Sequence, residues 1–274
     1  MPAGRPSSRS VRGKPPAHGD GEGADRAAWS RPALFRVDEV PADGELVLNG
    51  DEGRHAADVR RVRPGEVVLV GDGEGARARA EVLAVAARTV TLRVLERRDE
   101  PPPAPRVVLV QALVKGDRGE LAVETATEAG VDGIVPWRAA RSIARWDDGP
   151  RGAKALGRWR STAREAAKQS RRARVPAVEA PHDTAALAAR VTAADAALLL
   201  EATATTSLAD VDLPADGEIL LVVGPEGGID DAELATLTAA GAVPVAMGPT
   251  VLRTSTAAAV ALGALGVRTG RWAP

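Results

Sequence analysis

The chain has 274 residues, 45% of them hydrophobic, and a net charge of −1, which is enough for two modest domains with real cores. It has no cysteine, which excludes disulfides and thiolate chemistry, and its three histidines are too scattered to favour a metal site. The apolar runs are too short to cross a bilayer, and the amino terminus lacks the apolar segment of a secretory signal. We therefore expect a cytoplasmic protein with no metal and no membrane partner.

The first hundred residues divide into a polar segment and a run of short strands. Residues 1–30 are rich in Pro, Gly, Ser, Arg and Asp without periodicity, which is typical of a disordered tail. Residues 31–100 contain short apolar segments separated by turn signals such as Asn49-Gly50, which predict a small β-barrel. A proline-rich linker is expected at residues 101–105.

From residue 106 to residue 274, apolar strands alternate with helical segments. We predict strands at 107–113, 134–136, 196–200, 219–223 and 243–247, and helices at 118–129, 154–172, 230–241 and 254–265. This alternation is typical of an α/β domain with a mostly parallel sheet. Asp230 with Glu233 three residues later predicts a capping box at the start of its helix.

Two Gly-Pro loops each follow a short apolar strand and lead into a helix. The first is Gly224-Pro225-Glu226-Gly227-Gly228, and the second begins at Gly248-Pro249. Two such loops can face each other and enclose a small ligand with backbone groups. Neither has the lysine and spacing of a P-loop or the glycine pattern of a dinucleotide site, which argues against a ligand held by its phosphates.

Basic residues are concentrated in one segment of this nearly neutral chain. Residues 151–174 hold nine Lys or Arg against one acid, Glu165, and Trp137, Trp146 and Trp159 lie in or near this segment. Such local asymmetry favours a polyanion, with indoles available to stack on unpaired bases. The alternative is a solvated basic helix with tryptophans packed beneath it.

Several motifs occur together in a fixed order. They are Lys115-Gly116-Asp117-Arg118, 125–131, Arg141-Ser142, 165–170, 224–228 and Leu252-Arg253-Thr254, with His55 and 59–61 upstream. From about Phe35 to Leu265 this set resembles the bacterial 16S ribosomal RNA uridine-N3-methyltransferase family of the SPOUT, or trefoil-knot, class. The first glycine loop alone is less specific, because related ribose methyltransferases carry similar loops.

The resemblance implies a fold and an activity. The fold is a PUA-like β-barrel that helps to bind RNA, followed by an α/β trefoil-knot domain with a mostly parallel sheet. The activity is transfer of a methyl group from S-adenosylmethionine to uracil N3 of 16S ribosomal RNA in the small ribosomal subunit. The resemblance further implies a homodimer formed through the knot domain and no DNA partner.

Candidate residues follow from the loops and from the resemblance together. The expected cofactor site is formed by Leu199, Leu200, Glu201, Gly224, Pro225, Glu226, Gly227, Gly228, Met247, Gly248, Leu252, Arg253 and Thr254. Arg253 is the candidate for stabilising negative charge on the uracil. Glu226 is either the proton acceptor or a brace for its loop. The candidate RNA contacts are Lys115, Arg118, Arg141, Arg164, Gln169, Arg171, His55 and Arg60.

The chain departs from the family pattern at three places, and two other functions stay open. Thr250 stands where the family usually has Arg, Ser255 where it has Glu, and Ala129 where it has Leu. The second departure removes a carboxylate that could have served as a base. The alternatives are ribose 2′-O-methylation on the same scaffold and a non-catalytic RNA-binding assembly factor, which need not keep a cofactor pocket.

Overall fold

The computed structural model describes residues 20–273, which divide into one compact unit ending at Pro32 and another beginning at Ala33. The first unit contains helix α1, Asp20–Ser30. This corrects the expected disordered tail for residues 20–30, because the alanines at 24, 27 and 28 supply helix propensity that the overall composition conceals. The rest of that expectation, residues 1–19, lies outside the described residues.

The second unit begins with a mixed five-stranded sheet. Its strands are β1 Leu34–Arg36, β2 Glu45–Leu48, β3 Val67–Gly71, β4 Ala76–Ala86 and β5 Thr89–Asp99. They are arranged in the order β1-β3-β4-β5-β2, with β1 parallel to β3 and the other pairs antiparallel. Two register shifts between β4 and β5 allow these long strands to bend. Helix α2, Gly50–Arg54, continues into a π-helical turn, His55–Arg60.

A six-stranded parallel sheet follows. Its strands are β6 Arg106–Ala112, β7 Gly133–Trp137, β8 Ala177–Val178, β9 Ala196–Leu200, β10 Glu218–Val223 and β11 Val243–Val245, in the order β11-β9-β10-β6-β7-β8. Every pair of neighbours is parallel. The helices are α3 Arg118–Glu128, α4 Pro150–Gln169, α5 Thr184–Ala193, α6 Asp231–Ala239 and α7 Thr254–Arg268.

The parallel sheet separates two apolar cores. Along β9, Leu198 packs with α3, α4 and α7 on one face, whereas Leu199 packs with α5 and α6 on the other. This follows from the strand period of two. Small residues allow the helices to pack closely: a Cβ on Gly119 of α3 would lie 2.8 Å from the Trp159 ring of α4.

The carboxyl end of α4 joins the two sheets. Lys168 donates to Glu52 of α2 at 2.6 Å and lies 5.8 Å from the centre of the Phe35 ring. Immediately after the helix, the carbonyl of Arg171 accepts from Arg77 of β4 at 2.8 Å. The basic residues at this end of the segment therefore hold the β-rich region against the parallel sheet.

Several local expectations need correction. Elements β1, β8 and α5 were not predicted, and α4 begins at Pro150 rather than Lys154. The predicted capping box is wrong: Asp230 caps α6 by accepting from the amide of Ala232, but Glu233 accepts from Ala140 and Thr184 instead. Within residues 20–273, no helix is long and apolar enough to cross a membrane.

Candidate functional site

Three loops meet at one edge of the parallel sheet. Strands β9, β10 and β11 are neighbours and run in the same direction, so the segments after Leu200, Val223 and Val245 emerge together. Ligands in open α/β sheets bind in such a crevice, outside the carboxyl ends of the strands. The two glycine loops noted in the sequence are two of these three segments.

The loops enclose a cavity of about 480 Å³. This volume lies within the range of small-molecule sites. Eleven of the expected cofactor residues line it: Leu200, Glu201, Gly224, Pro225, Glu226, Gly228, Met247, Gly248, Leu252, Arg253 and Thr254. Sequence reasoning missed further lining residues, among them Ala202, Ile229, Thr250, Val251 and Ser255. A mixture of apolar side chains and loop backbone suits a ligand with an apolar body and polar edges.

Glycines keep the backbone of this cavity open. Gly228 and Gly248 have φ values of 74° and 130°, which favour glycine over other residues. A Cβ on Gly248 would meet no atom within 4 Å, so the space beside its backbone is free for a ligand. Gly224 serves packing instead, because its Cβ would lie 2.6 Å from the Ile229 side chain.

Two expected cofactor residues do not line the cavity. Leu199 is fully buried in the core formed with α5 and α6, on the opposite face of the sheet from the cavity wall. The sequence gives no sign of which face a continuous apolar strand turns to the ligand. Gly227 faces away from the cavity, where its Cβ would lie 3.4 Å from the Cβ of Arg141.

Two arginines and two glutamates border the same cavity: Arg118, Arg253, Glu201 and Glu226. Arg118, at the start of α3, donates to the Glu226 carboxylate at 3.3 Å. Arg253, the residue before α7, is exposed and makes no side-chain hydrogen bond or ion pair within residues 20–273. Glu226 is thus paired with Arg118 across the two elements, whereas the guanidinium of Arg253 has no such partner within the described residues.

Six of the other expected RNA contacts fall into three groups. Lys115, Arg164 and Arg60 are exposed, and within the described residues no partner is seen for their side chains. His55 packs edge-on against Phe35 at 5.9 Å, and Arg171 is half-buried with its carbonyl held by Arg77. Gln169 borders a groove between α3 and α4 that is lined by Glu120, Glu124, Glu128 and Glu165. Arg158 lines the same groove and pairs with Glu120, and the role of Gln169 in RNA binding stays a prediction.

The tryptophans of the basic region belong to the core. Trp137 and Trp159 are fully buried, and Trp146 packs edge-on against Trp159 at 4.9 Å. The expectation that an indole stacks on a base is therefore wrong for Trp137 and Trp159. The alternative, tryptophan packed beneath a basic helix, describes Trp159.

In the described part of the chain, no group of three or more His, Asp or Glu could hold a metal ion.

Comparisons with known proteins agree with this architecture. A profile of the RNA methyltransferase domain matches residues 100–266, and a profile of the RNA methyltransferase PUA domain matches residues 48–95. The boundaries expected at residues 30, 100 and 105 stay a prediction.

Named relatives cover nearly the whole chain. Ribosomal RNA small subunit methyltransferase E from Mycobacterium bovis is 53% identical over 87% of this chain and 93% of its own length. The protein of the same name from Bacillus subtilis is 32% identical over 85% of this chain and 93% of its own length.

A solved structure supports the same assignment. The crystal structure of ribosomal RNA small subunit methyltransferase E from Neisseria gonorrhoeae, bound to S-adenosyl methionine, has a TM-score of 0.76 and 27% identity. It covers 87% of this chain and 98% of its own. The fold is that of the SPOUT trefoil-knot class, with a mostly parallel α/β domain after a PUA-like domain. The chain therefore belongs to the RNA methyltransferase family, within the group of ribosomal RNA small subunit methyltransferase E.

Proposed function

We propose that this protein transfers a methyl group from S-adenosylmethionine to uracil N3 of a uridine in 16S ribosomal RNA of the small subunit. The observation that carries the proposal is the cavity formed by three loops, two of which begin with Gly-Pro, with Arg253 free at its border. Two named relatives act on small-subunit ribosomal RNA, and a structural neighbour binds S-adenosyl methionine. A ribosomal substrate is consistent with a cytoplasmic protein.

The cavity fits this cofactor in its chemistry. Loop backbone at Gly228 and Gly248 can approach the polar edges of adenine and ribose, because neither position carries a side chain. Leu200, Met247 and Leu252 offer apolar surface for the flat faces of the ligand. When bound, S-adenosylmethionine supplies an electrophilic methyl group.

The protein must then handle the charge and the proton of the uracil. Uracil N3 holds a proton at neutral pH, and its loss leaves negative charge shared with the two ring oxygens. Arg253 can stabilise that charge, because it faces the cavity and has no competing partner within the described residues. Glu226, one of two glutamates that line the cavity together with Glu201, can accept the proton, and Arg118 holds its carboxylate in place. Ser255 lines the cavity but carries no carboxylate that could take this role.

The RNA is proposed to lie across exposed cations outside the cavity. Lys115, Arg164 and Arg60 present positive charge on the parallel-sheet region and the PUA-like region, as does Arg141, which also pairs with Asp230. Phosphate contacts of this kind position the RNA but do not read its sequence. Arg118 belongs partly to this surface, since its side chain is 57% exposed although it pairs with Glu226.

A homodimer is proposed through the knot domain. Val260 and Val267 of α7 and Leu121 of α3 are 51%, 72% and 42% exposed, and the two helices pack together. Exposed apolar residues on neighbouring helices favour a protein partner. Analytical ultracentrifugation of the intact protein and of Val260→Asp distinguishes the outcomes: a dimer that becomes a monomer supports this interface, and an unchanged state removes it.

Nucleoside mass spectrometry tests the reaction. Purified small ribosomal subunits and naked 16S ribosomal RNA that lack the modification are incubated with the protein and S-adenosylmethionine, and the nucleosides are then identified. We expect 3-methyluridine. A methylated ribose would support the rival reaction, and no methylation on either RNA would support a non-catalytic assembly factor.

A further inference from the structure

A short turn between β7 and α4 carries Arg141. In this Arg141 turn, residues 139–142, the amide of Ser142 donates to the carbonyl of Ala139 at 3.0 Å. The guanidinium of Arg141 donates to the carbonyl of Ile229 and to the carboxylate of Asp230, both at 3.3 Å. Arg141 therefore lies against the outer side of the loop whose inner side faces the cavity.

A buried carboxylate holds one side of this turn. Glu233, in the first turn of α6, is only 8% exposed, and its Oε1 accepts from the amide of Ala140 at 2.9 Å. The same oxygen accepts from the hydroxyl of Thr184 at 2.6 Å, and that hydroxyl accepts from the indole of Trp137 at 3.2 Å. Burying a carboxylate is costly unless it is hydrogen-bonded, so these donors fix its position and that of the Ala140 amide.

An exposed arginine holds the other side. Arg145 donates to the carbonyl of Ala140 at 3.0 Å and to that of Ala139 at 3.4 Å. The peptide groups around Ala140 are thus held by a carboxylate at the N–H and by a guanidinium at the C=O. Strand β7 has already ended at Trp137 and α4 has not begun, so these contacts place Arg141 rather than complete a regular element.

We propose that Glu233 is a positioning residue for RNA binding and that it acts through Arg141. Glu233 and Arg145 together form a clamp, in which Glu233 holds the N–H of Ala140 and Arg145 holds its C=O. This inference rests on the proposed function, in which Arg141 contacts RNA. Glu233 lies on the helix that Asp230 caps, and Asp230 is also a partner of Arg141. The clamp therefore fixes the Arg141 turn to α6, the helix that follows the first glycine loop of the cavity.

A double-mutant cycle tests whether Glu233 acts through Arg141. The dissociation constant for purified, unmodified small ribosomal subunits is measured at fixed salt for the intact protein, Glu233→Ala, Arg141→Ala and the double variant. We expect each single change to weaken binding about tenfold. The double variant should bind within about twofold of the single variant with the lower affinity, because the effects of changes within one coupled unit are not additive. A double variant about a hundredfold weaker, the product of two independent effects, would overturn the proposal.

Two further variants separate positioning from folding. Glu233→Gln keeps an oxygen that accepts from the Ala140 amide, so subunit binding should return to within about threefold of the intact protein. If Glu233→Ala does not fold, Arg145→Ala takes its place in the cycle, since Arg145 is exposed. An Arg145→Ala effect that multiplies with that of Arg141→Ala would contradict the clamp.

Calorimetry with S-adenosylmethionine, run on the same samples, separates this inference from the proposed function. An intact protein that binds neither S-adenosylmethionine nor subunits would overturn the proposed function and this inference with it. An intact protein that binds both, but whose cycle is additive, would overturn only the role of Glu233.

Discussion

The loops of the cavity and the basic segment 151–174 both stood out in the sequence. The glycine pattern of the loops predicted the structure well, whereas the charge pattern of the segment did not show which residues face solvent. The cavity was marked by glycines after strands, and eleven of its expected residues line it. The basic segment was marked by charge, and its residues serve two purposes. Arg151, Lys154 and Arg164 are exposed, with no partner in the described chain, whereas Lys168, Arg172 and Arg174 bond to neighbouring elements.

This difference has a physical reason. A glycine loop between a strand and a helix constrains the backbone, and the backbone conformation is what forms the site. A cationic side chain can extend into solvent or donate to a carbonyl or carboxylate of the protein. The number of charges in a segment does not distinguish these two arrangements. Burial lowers the pKa of the Arg172 guanidinium to about 10, whereas the nearby Asp132 carboxylate acts to raise it. The Arg172 side chain is therefore largely removed from solvent.

The largest expected effect is at the cavity. Arg253→Ala should lower turnover about 100-fold, or about 2.7 kcal/mol, because a charge-stabilising group is lost. Binding of S-adenosylmethionine should stay within about tenfold. Single-turnover methylation and calorimetry measure the two quantities, with Arg253→Lys as the control that keeps a cation. Turnover near that of the intact protein would remove Arg253 from the mechanism.

The next largest effect concerns Lys168, one of the residues of the basic segment that bond to neighbouring elements. Lys168→Ala should lower the free energy of unfolding by about 2 kcal/mol, because Glu52 is left without its partner in a largely buried pair. Chemical denaturation followed by circular dichroism measures the change. The matched control is Arg54→Ala, whose pair with Asp51 is exposed and should contribute less than about 0.5 kcal/mol. Equal effects of the two changes would mean that Lys168 is not a structural contact.

The exposed residues of the basic segment should instead contribute to the salt dependence of RNA binding. Replacing Arg151, Lys154 and Arg164 by Ala should weaken RNA binding about tenfold and reduce the slope of log affinity against log salt by about two, since each phosphate contact contributes roughly 0.7–0.9. Binding titrations at several salt concentrations give the slope. Arg158→Ala is the control, because Arg158 already pairs with Glu120. An unchanged slope for the triple variant would mean that this face of α4 does not meet RNA.

The smallest effect distinguishes the two roles of Glu226. If this carboxylate only braces its loop through Arg118, Glu226→Gln should lower turnover about threefold, because the amide oxygen can still accept from Arg118. A fall of 100-fold or more that is partly recovered at higher pH would assign the proton to Glu226 instead. The pH profile of single-turnover methylation decides between them.

Sequence reasoning identified most of the regular elements and the cavity, and it failed where long-range contacts decide. Asp230 and Glu233 match a capping box, but Glu233 is drawn to Ala140, which is 93 residues away in sequence. The apolar run at β9 predicted a buried strand and could not show that Leu200, rather than Leu199, faces the cavity. Strand β8 has two residues and gives no periodic signal.

Calorimetry with the intact protein and with Gly248→Val tests whether the cavity between the loops binds S-adenosylmethionine. Valine at position 248 would strain a backbone with φ of 130° and fill open space beside the loop. We expect saturable binding to the intact protein and at least a tenfold loss of affinity in the variant. Failure of the intact protein to bind at millimolar concentration, or equal binding by both proteins, would contradict it.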